Sequence, residues 1–274
     1  MQPLIINAAI SGSLNKDAMP NLPKDPEDIG RMAIEVWQAG ASIVHIHAKD
    51  DNGVHSGDVQ YFKRAVDYIK EHDSDILINL TTSFTGSNVD DWETRFSPLT
   101  LSPDIASYDA GTMNFNEHVF YNKPEFLREL AKKMQQHGVK PEIEIFDTGQ
   151  IGNAVRYAEE GLIDDPLYMQ FVLGVNGGAP ATAKHLVHLV ESLPKGAIWS
   201  VAGIGRHQLP MDVLAILMGG HARTGLEDNW YYEKGVLATN KQLVERLAGL
   251  AKTFGREVAT PSQAREILGL PASS

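Results

Sequence analysis

There is no cysteine among the 274 residues. Disulfides, thiolate metal ligands and a cysteine nucleophile are excluded, so any metal must be held by His, Asp or Glu, a set that suits zinc or another divalent cation. Positive charge is also short: 24 Lys and Arg against 35 Asp and Glu give a formal net charge of −11. Such a surface repels nucleic-acid phosphates and anionic membranes, and no basic run offsets it, so neither partner is expected. No apolar run approaches the ~20 residues of a membrane span. The opening Met1-Gln2-Pro3-Leu4-Ile5-Ile6-Asn7 lacks the basic and long apolar segments of a secretory leader. A cytoplasmic chain is expected. No G-x-G-x-x-G follows the first apolar run, and no linker or low-complexity stretch divides the sequence.

What is present is 43% hydrophobic, enough for a large core, and it alternates. Strands are expected at Leu4–Ala9, from Ile43 through the two histidines that follow, at Asp75–Leu80, Asp104–Tyr108, Glu142–Phe146, Leu167–Val172, Ile198–Val201 and His221–Gly225. Between them the 3.6-residue period predicts helices. The first is announced by Asp25 as N-cap and Pro26 at the first helical position and runs to Gly40. Others cover Asp58–Glu71, Val89–Phe96, Pro124–His137, Ile151–Glu160, Ala181–Ser192, Leu209–Met218 and Asn240–Phe254, and a short one follows Thr260-Pro261. Eight strands alternating with helices predict an α/β fold: a (β/α)8 TIM barrel forming a single domain over 1–274, with a short C-terminal helical extension. A doubly wound open sheet is the runner-up.

The chain is organised around Ile43-Val44-His45-Ile46-His47-Ala48-Lys49-Asp50. On a strand His45 and His47 project from one face and Val44, Ile46 and Ala48 from the other. On a helix the two rings would diverge by about 200°. Two imidazoles on one strand face can share a metal ion.

Barrel chemistry sits at the C-terminal ends of the strands, and polar residues collect there: His45 and His47, Thr81, Thr82 and Ser83, Ser107 and Asp109, Glu142 and Glu144 on one face of the fifth strand, and Arg223, Glu227 and Asp228 after the eighth. A purely structural barrel would carry Val, Ile and Leu there. Two histidines and one carboxylate would leave an open metal position for water or substrate. A strand-five glutamate, Glu227 or Asp50 can each supply that carboxylate.

The ordered motifs resemble those of the β-keto acid cleavage enzymes. The matching stretches are Asn7-Ala8-Ala9-Ile10-Ser11-Gly12, His45-Ile46-His47-Ala48-Lys49-Asp50, Ile78-Asn79-Leu80-Thr81-Thr82, Glu142 through Gly149, Gly205-Arg206-His207-Gln208-Leu209-Pro210, Arg223-Thr224-Gly225-Leu226-Glu227-Asp228, and Ala259 to Gly269. The resemblance covers essentially the whole chain. It implies a zinc-bearing barrel in which a β-keto acid and acetyl-CoA give acetoacetate and a new acyl-CoA, in a homo-oligomer, a tetramer in the family. It further implies His45, His47 and Glu227 as metal ligands, Asp228 as the base, and Arg223 with a strand-five glutamate, Glu142 ahead of Glu144, orienting and tuning it. Thr82 and Ser107 match positions expected to hold the substrate carboxylate. The chain departs from the pattern twice. Lys49 stands where the family usually has Arg. Leu14, beside Ser13, stands where the member that cleaves 3-keto-5-aminohexanoate has an acid facing the substrate amine, so a neutral substrate is expected. The rival readings are another metal-dependent barrel lyase or aldolase, such as the relatives of hydroxymethylglutaryl-CoA lyase, a metal-dependent hydrolase, and a non-catalytic metabolite-binding barrel.

Overall fold

The computed structural model describes residues 1–15, 17, 19–83 and 91–271. Eight parallel strands close a barrel in simple chain order: β1 (Ile6–Ala9), β2 (Ile43–Ile46), β3 (Leu77–Leu80), β4 (Ile105–Asp109), β5 (Lys140–Ile145), β6 (Tyr168–Leu173), β7 (Ile198–Gly203) and β8 (His221–Thr224), the last pairing back to β1. The helices are α1 (Pro26–Gln38), α2 (Val59–Glu71), α3 (Trp92–Phe96), α4 (Pro124–His137), α5 (Thr148–Glu159), α6 (Ala183–Glu191), α7 (Gln208–Met218), α8 (Asn240–Thr253) and α9 (Pro261–Ile267). The expected alternation is present. Its boundaries move by a few residues at most, and the first residues of the helix expected at Val89–Phe96 lie outside the described residues. Among the described residues no helix is long and apolar enough to cross a membrane.

Local chemistry accounts for the elements. Asp25 accepts a hydrogen bond from the Asp28 amide at the start of α1, and Pro26 occupies a position whose N–H would have no partner. The outward strand residues Val44, Ile46 and Ala48 are fully buried in one core with Ile29, Ala33 and Val36 of α1. Each large aliphatic side chain removed from water in this way contributes roughly 1.5–3 kcal/mol.

Inside the barrel the side chains lie in layers. The lowest contains Ile5, Ile43, Leu77, Ile105 and Tyr168, closed from below by Ala264 and Leu268 of the α9 region. The C-terminal extension is thus a plug in the N-terminal end of the barrel. The next layer is polar, with Asn7, Asn79 and Gln170 around Glu142. Above it stand His45, Glu144 and Arg223.

Two short antiparallel ribbons were not expected from the sequence: Met113–Phe115 with His118–Phe120, and Tyr231–Glu233 with Val236–Leu237. Strands of two or three residues are too short for a period to be visible. The first ribbon packs on the loop after β6. Gly177 there has a φ of +97°, and a Cβ would come within 2.0 Å of the Asn114 carbonyl oxygen, so only glycine permits the approach.

Candidate active site and metal centre

His45 and His47 lie at the end of β2 and share a face, as the alternation requires. Glu227 reaches them from the turn after β8. His45 Nε2 is 3.8 Å from Glu227 Oε2, and His47 Nε2 is 3.3 Å from Oε1. Among the described residues these three form a group whose ligand atoms all lie within 4.8 Å of one another. Asp50, one of the alternative carboxylates, instead accepts from the amides of Asn52 and Val54 in its own turn, and the strand-five glutamates are outside the group. Glu227 Oε2 is buried and has no hydrogen-bond partner, an arrangement that costs free energy unless a cation faces it. Burial pushes His45 down to about 3, which keeps it in the neutral form that ligates a metal. Burial alone would raise the Glu227 carboxyl, but Arg223, His47 and His45 outweigh it and hold the group well below the ordinary carboxylate range. The donors therefore fit a divalent ion.

The turn that carries Glu227 depends on Gly225. Its φ is +138°, and a Cβ would stand 2.1 Å from the Ala9 carbonyl oxygen. That close approach lets the Glu227 amide donate to the same oxygen at 3.1 Å.

Arg223, 3% exposed, organises the acids. Its Nε and Nη2 fork onto Asp228 at 2.9 and 3.0 Å, Nη2 also donates to Glu227 Oε1 at 2.6 Å, and Nη1 reaches Glu144 Oε1 at 3.4 Å. Burial raises the Asp228 carboxyl, the Arg223 guanidinium pulls it down, and Glu227 pushes it up again, so it ends above the ordinary range. A base gains from such a rise, because an ordinary carboxylate is too weak to take a carbon-bound proton near neutral pH.

The two glutamates of β5 have different surroundings. Glu144 faces Arg223 and lines the cavity. Burial first and the neighbouring Asp109 second raise it well above the usual range. Asp109, also raised by burial, accepts from Ser83 Oγ at 2.5 Å. Glu142 is one layer lower. It accepts from Asn7 Nδ2 at 2.7 Å, Asn79 Nδ2 at 2.8 Å and Gln170 Nε2 at 3.1 Å. Burial pushes it up to about 7 against the pull of Arg223 and Asn79. Direct contact with Arg223 thus belongs to Glu144, the second of the two candidates.

Two adjoining cavities open on these groups. The larger, about 370 Å³, runs from Arg223, Glu227 and Asp228 past Leu14, Val175, Ile204 and Trp230. The smaller, about 110 Å³, is lined by His47, Thr81, Ser83 and Asp109. Ser13, Phe115, Glu144, Phe146 and Glu227 border both. Leu14 is 48% exposed at the rim. Thr82 and Ser107 are bonded to each other: the Thr82 amide donates to Ser107 Oγ at 2.9 Å and Thr82 Oγ1 to the Ser107 carbonyl at 2.8 Å. Neither borders either cavity.

Two residues at the site were not foreseen, His55 and Arg95, and the partners of Lys49 were not foreseen either. His55 Nε2 lies 3.2 Å from His47 Nδ1, a contact that would orient this candidate ligand imidazole through its second nitrogen. Arg95 donates to the Thr82 carbonyl and to Asn122 Oδ1, with Phe126 beneath its guanidinium, and so ties the end of β3 to the segment after the first ribbon. Lys49 turns to the backbone. Its ammonium is fully buried and donates to two carbonyls of the loop after β1. None of these contacts follows a sequence period, and a lone His, Arg or Lys carries no local signal of its partner.

A family model described as beta-keto acid cleavage enzyme matches residues 3–270. The 3-keto-5-aminohexanoate cleavage enzyme of Fusobacterium nucleatum is 44% identical over 273 residues, 98% of this chain and 99% of that protein. The protein of the same name from Acetoanaerobium sticklandii is 45% identical over 273 residues, with the same coverage. The 3-oxoadipate:acetyl-CoA acetyltransferase of Cupriavidus necator is 38% identical over 276 residues, 99% of this chain and 96% of that one. Among solved structures, apo ObcA superposes with a TM-score of 0.79 at 21% identity, over 92% of this chain and 66% of that one, a likeness of fold. With the barrel, the His-His-Glu group and a match along nearly its whole length, the chain belongs to the β-keto acid cleavage enzyme family.

Proposed function

We propose that this protein is a zinc-dependent enzyme that condenses a β-keto acid with acetyl-CoA to give acetoacetate and a new acyl-CoA. The observation that carries the reading is the seat of Asp228. It is forked by Arg223, follows the metal-ligand candidate Glu227 in the chain, and lines the larger cavity. His45, His47 and Glu227 would hold a zinc ion, which would supply Lewis acidity to a keto oxygen and make the neighbouring protons more acidic. Asp228 takes one of those protons, and Arg223, steadied by Glu144, keeps the carboxylate aimed. The freed carbon bonds to the thioester carbonyl carbon of acetyl-CoA, and the CoA thiolate leaves. The thiolate then bonds to the original keto carbon as the bond from that carbon to the nucleophilic carbon breaks. Asp228 returns its proton to the departing carbon, so atoms and charge balance. The substrate carbon is the nucleophile, and no cysteine or serine is needed. Thr82 and Ser107 are proposed as the carboxylate subsite on their match to the family motif, with Thr81 and Ser83 on either side of Thr82 lining the smaller cavity.

The substrate tail is proposed to be neutral. Leu14, Leu22, Val175 and Trp230 line the larger cavity, and burying an unpaired ammonium among them costs several kcal/mol. One observation favours an amino substrate instead: Asp109 and Glu144 meet in the smaller cavity beside Phe115 and Phe120, an acidic and aromatic lining that suits a cation. Acetoacetate formation from acetyl-CoA, followed over a panel of neutral and amino β-keto acids, tests both. No acetoacetate from any of them rejects the reaction. Preference for 3-keto-5-aminohexanoate over its neutral analogues rejects the neutral tail.

A further inference from the structure

We propose that Lys49 is a positioning residue for substrate selection. Its ammonium holds the Gly12–Leu14 backbone and so sets how far Leu14 stands over the larger cavity. The inference rests on reading that cavity as the seat of the β-keto acid tail.

Lys49 is 0% exposed, and its Nζ lies 2.6 Å from the Gly12 carbonyl oxygen and 2.5 Å from that of Leu14. A buried ammonium is tolerated when its N–H groups are bonded, and here both bonds go to one loop. The ends of that loop have their own anchors. Ser11 Oγ accepts from the His47 amide at 2.8 Å, and Asn15 Oδ1 accepts from the His55 amide at 3.2 Å. Lys49 therefore acts on the middle, where Ser13 borders both cavities and Leu14 borders the larger one. Leu14 is half exposed, so packing beneath it does not fix its place and the backbone must.

The choice of lysine suits the task. Two carbonyls converge on one point, and an ammonium is a compact donor with three rotatable N–H groups. A guanidinium is a broader planar fork whose donors point in set directions. In the same space it would hold the loop further out and open the room beneath Leu14.

The test compares wild type, Lys49→Met and Lys49→Arg, all loaded with zinc, on β-keto acids of increasing tail length at fixed acetyl-CoA. Lys49→Met is expected to raise KM for the β-keto acid about tenfold with kcat changed less than about threefold, the signature of lost binding without lost chemistry. Its zinc content should be unchanged, and hydrogen exchange at Ser13–Asn15 should accelerate. Lys49→Arg should restore slow exchange there and move the preferred tail to a longer one. Unchanged exchange in Lys49→Met overturns the proposal, as does a tail preference shared by wild type and both variants. If Lys49→Met does not fold, a Lys49→Arg protein with the wild-type tail preference overturns it alone. A wild type that cleaves no β-keto acid rejects the functional reading at that control, before any variant is compared.

Discussion

The two ends of the barrel are built from the same strands and answer to different physics. At the N-terminal end Ile5, Ile43, Leu77 and Ile105 meet Leu268 from α9, and the layer is closed by apolar packing. Toward the C-terminal end the next inward positions of the same strands hold Asn7, His45, Asn79 and Ser107, and there the layers are closed by hydrogen bonds and ion pairs. The lower layer stabilises the fold without needing partners of specific chemistry. The upper layers bury charge, which is costly unless each group is answered. Arg223 answers three carboxylates, and three amides answer Glu142. The comparison teaches that a site can be raised on a scaffold that does not depend on it.

Four substitutions would break or sharpen that comparison. The largest effect is expected at the upper end. Asp228→Asn should cost about 10²–10⁴-fold in turnover, the usual contribution of a general base, while the protein stays folded and its metal content stays near wild type. Near-normal turnover would move the role to Glu144. At the lower end, Leu268→Ala should lose about 2–5 kcal/mol in urea unfolding, the range for removing a buried leucine, yet keep full metal occupancy and kcat in the folded fraction. Loss of metal in that variant would mean that the plug supports the site after all.

The third variant tests the layer between them. Glu142 is pushed up to about 7 from 4.5 by burial, so the folded state holds this proton more tightly than the unfolded chain does. Its contribution to stability therefore falls as pH rises through that interval and is fully unfavourable above it. Glu142→Gln removes the ionisation, and its lost hydrogen bonds shift stability by an amount independent of pH. The wild type should lose on the order of 1–3 kcal/mol relative to the variant between pH 4.5 and 8. A flat difference would mean that the three amides already hold Glu142 ionised. The smallest effect is expected at the rim, where Leu14→Glu should shift the ratio of amino to neutral β-keto acid turnover by about tenfold, near what one exposed charge contributes.

Much of the scaffold could be read from the sequence because it is periodic. Alternation placed His45 and His47 on one face, and the strand-helix rhythm gave the barrel. Glu227 was one of several open carboxylates until whole-chain motifs were weighed, since its approach to the histidines depends on β8 lying beside β1. The partners of Glu142 were not readable. Asn7, Asn79 and Gln170 come from three strands, and an amide within an apolar run does not announce what it faces. Which of Glu142 and Glu144 touches Arg223 was not readable for the same reason: the two share a face, and only the depth of the layers separates them. Lys49 stood out only as a departure from the family's Arg, and its partners are backbone oxygens, which leave no trace in side-chain chemistry.

The Gly225 turn has a consequence for how the protein is assembled. The histidines belong to the second strand and Glu227 follows the eighth, with β1 between them. The three candidate ligands meet only across the seam where the ring closes, and the Glu227 amide bond to Ala9 is one of the stitches. A chain that has folded its first seven strands still holds an incomplete site. An ion that binds all three ligands therefore favours the closed ring over every open form, by RT ln(1 + [ion]/Kd). Such an ion would act as a clasp, and its removal should loosen the first and last strands before the middle of the barrel.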